Sequence, residues 1–315
     1  MDLQSPCGIL VVDKPSGCTS HDVVNLIRRA FRTRQVGHTG TLDPMATGVM
    51  VLCLGMATRL AEYLTSCKKH YTAEFQFGLQ SNSYDSTGVI VEQRDGSHLT
   101  RRDIENAAYG FVGAILQVPP MVSAVHHEGK RLYELAREGK VVERQPRKVY
   151  VDELELAEFT PGVVPLATFE ITCSSGFYVR VLADDLGRAL GVGAIMSSLR
   201  RSWVGNTPQN AFTVEEAVSL DTISSKADIT ELRKLLIPME QAVASYPAYI
   251  VDEQSAIDQV SHGIALPIQP SNFLENSTAQ LNHGVIMLFS ANRRLLAVAR
   301  EADGYLQPFK VFNVQ

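Results

Sequence analysis

The segment VGHTGTLDPMATG, residues 36–48, is the stretch around which the rest of the chain can be arranged. Its three glycines, one proline and three threonines predict an irregular loop. The apolar run VMVLCL (49–54) that follows it predicts a buried strand. Connections in compact domains are usually shorter than this loop, so its length favours a functional role.

Before the loop, the sequence predicts a strand and a helix. GILVVD (8–13) is typical of a buried strand. Thr19 or Ser20 is a suitable N-cap for the helix that follows, with Asp22 near its positive end. One apolar face recurs at helical spacing: Val23, Leu26, Ile27, Ala30 and Phe31.

After the loop, period-two patterns predict further strands. YTAEFQFG (71–78) alternates, so that Tyr71, Ala73, Phe75 and Phe77 share one strand face. Thr100 with Asp103 predicts a capped helix. Residues 149–156 and 166–173 are expected to be strands, and SSGFYVRVLADDLG (174–187) a turn that enters a short helix.

The remaining sequence predicts an insertion and a separate C-terminal unit. Residues 119–148 are polar and basic, with three prolines, and are expected to leave the main sheet. A helical stretch over 213–245, opened by Thr213 and Glu216, is expected to precede a boundary near residues 245–247. Short strands are expected beyond it, at 285–290, 295–301 and 309–314.

Length, composition and charge exclude several classes of protein. The chain has 315 residues, 45 % of them hydrophobic and 20 % charged, which is typical of about two globular domains. The net charge of −5 argues against a general nucleic-acid binder. All of that excess lies in residues 207–315, and the basic residues of the first part are clustered, so local anion-binding stripes remain possible.

Common cofactor, metal and export signals are missing from the sequence. No phosphate loop, dinucleotide fingerprint or G-x-S-x-G motif is present. Five cysteines, odd in number, far apart and never in a C-x-x-C pair, predict neither a disulfide framework nor a zinc site, and favour a reducing cytosol. We expect no membrane span and no secretory signal. GHTG (37–40) resembles the KH-domain loop, but the strand that follows it excludes that fold.

Two charged residues are candidates for chemistry. Asp43 precedes Pro44, which favours an extended backbone, and its carboxylate could be a nucleophile, a base, a ligand or a turn cap. Arg180 lies in the apolar segment GFYVRV; if buried, it needs a carboxylate, and Asp184 and Asp185 are the nearest in sequence. Tyr71 and Tyr178 are aromatic residues that could belong to the core or to its rim.

Several segments together resemble the bacterial tRNA pseudouridine-55 synthases of the TruB type. The resemblance is carried, in order and spacing, by GILVVDKPSGCTS, GHTGTLDPMATGV, LCLGMATRL, KHYTAEFQFG and CSSGFYVRVLADDLG. PPMVSAVHHEGKRLYELAREG and SSLRRSWVG also fit the family. The resemblance is close over about residues 8–205, and the block G-H-T-G-x-L-D-P is its most specific part.

This resemblance implies an α+β fold and a domain organisation. The expected catalytic domain, residues 1–245, has a mixed and largely antiparallel sheet with flanking helices. A thumb-like RNA-binding insert is expected at about 119–148, where Lys and Arg outnumber Asp and Glu. Residues 246–315 are expected to form a small β-rich domain of the PUA type.

The resemblance also implies catalytic roles. Asp43 matches the family's aspartate nucleophile, which attacks C1′ of the ribose or C6 of the base. Arg180 matches the arginine that pairs with this aspartate, an arrangement expected to lower the carboxylate pKa. Tyr71 matches the active-site tyrosine that stacks on the target base.

RNA-binding roles are implied for a second set of residues. His38 matches the histidine that enters the T-loop as the target base is flipped out. Lys14 matches a residue that supports the pocket, and Asp85 an aspartate that contacts the flipped loop. The remaining candidates are Tyr178 and Leu199 in the pocket wall, and Lys130 and Arg131 in the thumb.

The implied activity is isomerisation of uridine 55 in the T-loop of tRNA to pseudouridine, without metal or organic cofactor. The expected partner is the T-arm stem-loop of tRNA. A cytoplasmic monomer without an obligate protein partner or membrane contact is expected. Two alternatives stay open: an RNA-binding module without catalysis, and an N-glycosidase that uses Asp43 at C1′.

Overall fold

A computed structural model gives the fold and describes residues 5–123, 126–127, 129–140, 142–226, 228–274 and 284–312. The strands are β1 (Gly8–Lys14), β2 (Val36–His38), β3 (Thr47–Leu54), β4 (Lys68–Phe77), β5 (Leu79–Ser81), β6 (Ile90–Gln93), β7 (Gly113–Gln117), β8 (His126–His127), β9 (Lys130–Arg131), β10 (Arg147–Thr160), β11 (Leu166–Cys173), β12 (Ala194–Gly205), β13 (Phe212–Thr213), β14 (Val218–Ser219), β15 (Ala248–Val251), β16 (Leu266–Pro267), β17 (Ile286–Ser290), β18 (Leu295–Ala302) and β19 (Tyr305–Val311).

Helices flank these strands. The α-helices are α1 (Ser20–Ala30), α2 (Ala61–Thr65), α3 (Arg101–Tyr109), α4 (Leu132–Arg137), α5 (Val179–Ala189), α6 (Leu220–Ser225), α7 (Ile229–Arg233), α8 (Met239–Ala242) and α9 (Gln254–Ser261). Short 3₁₀ helices cover Gly55–Leu60, Pro208–Asn210 and Pro270–Asn272. In the described part of the chain, no helix is long and apolar enough to cross a membrane.

A mixed sheet forms the body of the molecule. Its strand order is β14-β1-β3-β12-β4-β11-β10-β7, with β13 joined to β12 and β2 joined to β3. The pairs β1–β14 and β3–β12 are parallel and the other pairs in this sheet are antiparallel. The expected α+β fold, with a mixed and largely antiparallel sheet, is confirmed.

The predicted local signals explain how the elements around the functional loop form. Thr19 is the N-cap of α1 and forms a capping box with Asp22, as the sequence indicates. The apolar face of α1 packs in a core with β1 and β3, in which Val23, Ile27 and Phe31 are fully buried. The helix therefore lies against β1 and β3. The predicted 36–48 loop is irregular only over residues 39–46, because Val36–His38 form β2 and β3 already begins at Thr47.

Strand β4 at the centre of the sheet follows the period-two pattern. Tyr71, Ala73, Phe75 and Phe77 are buried in one core cluster, while the alternate residues are half-buried on the opposite face. Helix α5 packs on the same core through Val179, Leu182, Ala183 and Leu186. One face of the sheet is therefore covered by helices, and that covered face also carries Tyr71.

The expected helical stretch over 213–245 is wrong. Thr213 lies in β13, opposite Trp203, and although its N–H donates to Glu216 Oε2 at 3.1 Å, no helix follows. Three short helices occur instead, because Ser219 and Asp228 each cap a new helix and Pro238 begins the third. The break before Pro238 also lets the main chain of Ile237 pair with Ile9.

The C-terminal residues form a second sheet of order β15-β17-β18-β19-β16. The expected strands at 285–290 and 295–301 are present, but the last begins at Tyr305 and not at 309. The reason is the turn Asp303–Gly304, where both residues have positive φ, as a tight hairpin requires. This sheet shares a core with the main body through Met287, Phe289 and Val298.

Gly48 shows how closely two strands approach beside the functional loop. Its φ is +101°, and a Cβ added there would lie 2.1 Å from the carbonyl oxygen of Arg201. We expect Gly48→Ala to lower the free energy of unfolding by more than the ~1–3 kcal/mol of backbone strain alone. Gly191→Ala is the matched control, since its φ is +76° and nothing lies within 4 Å. Equal losses in urea unfolding would contradict this account.

Candidate active site

A cavity of about 230 Å³ lies between the 36–48 loop, strands β4 and β12, and the start of α5. Its wall includes residues 39–43, residues 174–180, Val122 and Ser123. Lys69 and Tyr71 contribute from β4, and Leu199 and Arg201 from β12. Segments far apart in the sequence therefore meet at one hollow.

The central contact of this cavity is an ion pair between Asp43 and Arg180. The Nε and Nη2 atoms of Arg180 lie 2.9 Å from Oδ2 and 3.0 Å from Oδ1 of Asp43. Such a two-point contact between a guanidinium and a carboxylate fixes orientation as well as distance. The side chain of Arg180 is 5 % exposed and that of Asp43 is 29 % exposed, so the carboxylate remains open to the cavity.

Arg180 is held from its other side by a second carboxylate. Its Nη1 lies 3.6 Å from Asp85 Oδ2, and its Nη groups donate to the carbonyl oxygens of Ser83 and Val122 at 3.2 and 3.0 Å. Asp85 Oδ1 accepts bonds from Ser83 and Thr87. The sequence neighbour Asp184 instead pairs with Arg188. Asp85 is thus buried behind the arginine and lies outside the cavity wall.

Burial raises the pKa of Asp43 above its ordinary value, and the neighbouring Asp85 charge adds to that increase. Arg180 opposes the increase through its charge and its hydrogen bond. Pairing with Arg180 lowers the pKa of this carboxylate as expected, but desolvation outweighs the ion pair, so the net pKa is raised. The result is a carboxylate that is less solvated than one in water.

Lys14 holds the main chain of the loop through hydrogen bonds from its side chain. Its side chain is fully buried, and its Nζ donates to the carbonyl oxygens of Pro15, Pro44 and Ala46 at 3.0, 3.2 and 2.7 Å. On the other side of Asp43, Ser20 Oγ accepts from the N–H of Leu42 at 2.9 Å. These contacts fix the main chain on both sides of Asp43. Lys14 itself is absent from the cavity wall.

The other predicted pocket residues lie in the cavity wall. Tyr71 and Leu199 are buried and lie on the same side of neighbouring strands. Burial raises the pKa of Tyr71, so the phenol stays protonated near neutral pH. Tyr178 caps α5, and its main-chain N–H and C=O bond to the Gln117 side chain at 2.9 and 3.2 Å.

Of the residues predicted to contact the T-arm, only His38 can be compared with the cavity wall, and it lies just outside it. His38 ends strand β2, opposite Leu52, one residue before the cavity wall begins at Thr39. The main chain of Lys130 and Arg131 forms β9 and pairs with β8. The side chains of these two basic residues lie outside the described part of the structure.

Two buried cations in the wall, Lys69 and Arg201, were missed by the sequence reasoning. Lys69 precedes Tyr71 by two residues in β4, and Arg201 follows Leu199 by two in β12. Because alternate residues of a strand share a face, the period-two pattern was the signal that could have identified them. In the described residues, no group of three or more His, Cys, Asp or Glu side chains could hold a metal ion.

Comparison with known proteins agrees with this fold. Residues 28–179 match the TruB family pseudouridylate synthase N-terminal domain, and residues 180–244 match the tRNA pseudouridylate synthase B C-terminal domain. The tRNA pseudouridine synthase B of Symbiobacterium thermophilum is 46 % identical over 82 % of each chain. The enzyme of the same name from Pelotomaculum thermopropionicum is 43 % identical over 97 % of this chain and 94 % of its own.

A solved structure extends the likeness to three dimensions. A chain in the crystal structure of a Cbf5-Nop10-Gar1 complex superposes with a TM-score of 0.71 at 24 % identity, over 98 % of this chain and 86 % of that one. The fold is the pseudouridine synthase fold. Within that class, the matched domains and relatives show that the chain belongs to the TruB family of pseudouridylate synthases.

The two neighbours of Asp43 are expected to move its pKa in opposite directions. Replacing Asp85 by Asn removes a negative charge and should lower the pKa of Asp43, while Arg180→Met removes the opposing cation and should raise it. Selective ¹³C labelling of aspartate and an NMR titration of the carboxyl carbon measure this pKa directly. Asp152→Asn, which removes the partner of Lys68, is the control and should leave it unchanged. Shifts of the same sign in the first two variants would refute the assignment.

Proposed function

We propose that the chain isomerises uridine 55 in the T-loop of tRNA to pseudouridine and that Asp43 is its nucleophile. Family membership and the relatives named tRNA pseudouridine synthase B support the reaction. The observation that carries the residue assignment is the open carboxylate of Asp43, held at two points by buried Arg180 beside Tyr71.

The size of the cavity suits one everted nucleotide. Pockets for drug-sized ligands measure roughly 300 to 1,000 Å³, and this one is smaller, at about 230 Å³. A base stacked inside an RNA loop must leave the stack to reach Asp43, at a cost of a few kcal/mol. Leu199 and the Tyr71 ring provide an apolar and an aromatic surface that offset part of this loss.

The reaction breaks the bond from N1 of uracil to C1′ and forms a bond from C5 to C1′. The product is an isomer, so one proton leaves C5 and one is gained at N1. A carboxylate at C1′ stabilises the positive charge that develops there, while attack at C6 would hold the base covalently as it turns. Both routes need ionised Asp43 and enclosure of the free uracil, which the cavity provides.

Arg180 acts in this proposal as the group that keeps Asp43 ionised and aimed. Its ion pair opposes the effect of burial on the carboxylate pKa. Tyr71 stacks on the target base, and its protonated phenol can donate a hydrogen bond to the base. Lys14 and Asp85 are buried positioning residues that do not line the cavity. Lys14 bonds to the main chain of the loop that carries Asp43, and Asp85 pairs with Arg180.

Binding of the T-arm is assigned to the surface around the cavity. We place His38 at the position vacated by the flipped base, next to the cavity wall. Lys130 and Arg131 in the thumb-like insert, about 119–148, would contact phosphates of the stem-loop. The proposed partition is a catalytic domain over residues 1–245 and a PUA-like domain over 246–315.

We also propose that the protein acts in the cytoplasm as a monomer without an obligate protein partner, because one tRNA needs only one cavity.

Asp43 is tested by asking whether pseudouridine forms without its carboxylate. Wild-type protein incubated with a T-arm stem-loop should convert the target uridine, and Asp43→Ala should show no detectable product, because no other group can take the place of the nucleophile. Carbodiimide labelling followed by reverse transcription maps the product. Product from Asp43→Ala, or none from the wild type, would defeat the proposal. Release of free uracil, seen by chromatography, would instead favour the N-glycosidase alternative.

Arg180 separates catalysis from binding. Arg180→Ala should reduce the single-turnover rate by at least ~100-fold, because the carboxylate loses both its orientation and its counter-charge. Affinity for the stem-loop should change less than about threefold, since the guanidinium is occupied by protein groups. Comparable losses of rate and affinity would show that Arg180 serves RNA binding or folding.

A further inference from the structure

Lys69 and Arg201 are two buried cations that lie together in the cavity wall. They are 6 % and 2 % exposed. Both side chains approach Gly40: a Cβ added to that glycine would lie 3.4 Å from Arg201 Nη1 and 3.8 Å from Lys69 Cε. Two like charges therefore share one corner of the cavity, next to Tyr71.

The partners of Lys69 are main-chain carbonyl groups, and Arg201 has two such partners and a further hydrogen bond with the Tyr71 side chain. Lys69 Nζ donates to the carbonyl oxygens of Thr65 and Cys67, both at 2.6 Å. Arg201 donates to those of Val49 and Gly40 at 2.6 and 3.0 Å. No ion pair with a carboxylate within 4.0 Å joins either cation to another described residue. Carbonyl dipoles satisfy some donors but leave the two charges uncompensated, which is costly in a buried setting.

Arg180 differs from Lys69 and Arg201 because its positive charge has carboxylate partners. Arg180 faces two carboxylates, Asp43 and Asp85, so its charge is compensated within the protein. Among the described residues, the cavity wall carries three cations and one carboxylate. The excess positive charge lies on the side of Lys69 and Arg201. This corner is therefore suited to a ligand that brings its own negative charge.

We propose that Lys69 and Arg201 form a phosphodiester-binding corner, which holds a backbone phosphate of the RNA beside the everted nucleotide. The proposal rests on the proposed function, because a uridine within RNA carries a phosphodiester on each side. A lysine has three N–H donors and an arginine five, of which Lys69 uses two and Arg201 uses three, counting its bond with Tyr71. Donors remain for phosphate oxygens.

The protonation of Lys69 agrees with this assignment. Burial and the neighbouring Arg201 lower the pKa of Lys69 to about 8. An anion placed between the two cations would raise that pKa again, so RNA binding and the charge on Lys69 reinforce each other. A structural role for Arg201, which links Gly40 and Val49 across the functional loop, is real but does not account for Lys69. The carbonyl partners of Lys69 lie in its own chain segment, just before β4.

The test removes the charge of one phosphate at a time. T-arm stem-loops carry a neutral methylphosphonate on the 5′ or the 3′ side of the target uridine, with a 2′-O-methyl sugar beside it; the control RNA has the same sugar and a normal phosphate. Binding is measured in the Asp43→Asn background, so that no product forms during the titration. One of the two neutral linkages should weaken binding about tenfold, as expected for a charge-assisted contact.

The neutral methylphosphonate linkage should weaken binding less when Lys69 is replaced by an uncharged residue. In Lys69→Met the neutral linkage should weaken binding only about threefold, because Arg201 remains as the other partner of the phosphate. In Lys69→Arg, which keeps the charge, it should still weaken binding nearly tenfold. Lys68→Met is the matched control. Lys68 lies on the opposite face of β4, pairs with Asp152 at 2.6 Å, and should leave the full loss intact. Thermal unfolding of each variant checks that it is folded.

Two results would overturn the phosphate corner: equal affinity for neutral and charged linkages on both sides, or the same loss in Lys69→Met as in the parent. Turnover of unmodified stem-loop by wild-type protein is measured in parallel. If pseudouridine forms but the effect of the neutral linkage does not depend on Lys69, the phosphate corner is rejected and the proposed function stands. Absence of pseudouridine would reject the proposed function, whatever the binding data show.

Discussion

The ion pair between Asp43 and Arg180 is the interaction on which the site depends. It joins a loop that follows β2 to the first turn of α5, more than a hundred residues later, and both contacts are about 3 Å long. Burial alone would favour a protonated, neutral carboxylic acid at Asp43. The guanidinium makes the ionised form tolerable without closing the carboxylate off from the cavity, because its other donors face Asp85 and two carbonyl groups.

The fold supplies rigidity where this pair needs it. Lys14 from β1, Ser20 from α1 and Arg201 from β12 each bond to the main chain of the 36–48 loop. The loop is therefore irregular but fixed at several points by buried groups. A carboxylate held in this way needs little reorganisation when a substrate arrives, which is the condition for effective electrostatic stabilisation of a transition state. At the end of the loop, Gly48 cannot accept a side chain because the main chain of Arg201 in the neighbouring strand lies against it.

Charge in the cavity is arranged unevenly, and this asymmetry relates the site to a nucleic-acid ligand. The carboxylates gather around Arg180, while Lys69 and Arg201 lie together near Gly40 without an acidic partner among the described residues. An acidic protein with a net charge of −5 can thus present a locally cationic hollow. Overall charge predicts non-specific attraction, whereas the sign of the buried groups decides what fits in one cavity.

The sequence by itself determined the strands and caps around the functional loop, because period-two and capping patterns are local and Thr19, Asp22 and residues 71–78 follow them. Motif likeness also identified Asp43, Tyr71 and Arg180 as one site. The same likeness implied that Arg180 pairs with Asp43. Only the tertiary structure decided that Asp85 lies on the other side of Arg180 while nearby Asp184 pairs with Arg188, that burial raises the pKa of Asp43, and that Lys69 and Arg201 share a corner. Partners distant in the sequence and the degree of desolvation depend on how strands and helices pack, which no local pattern encodes.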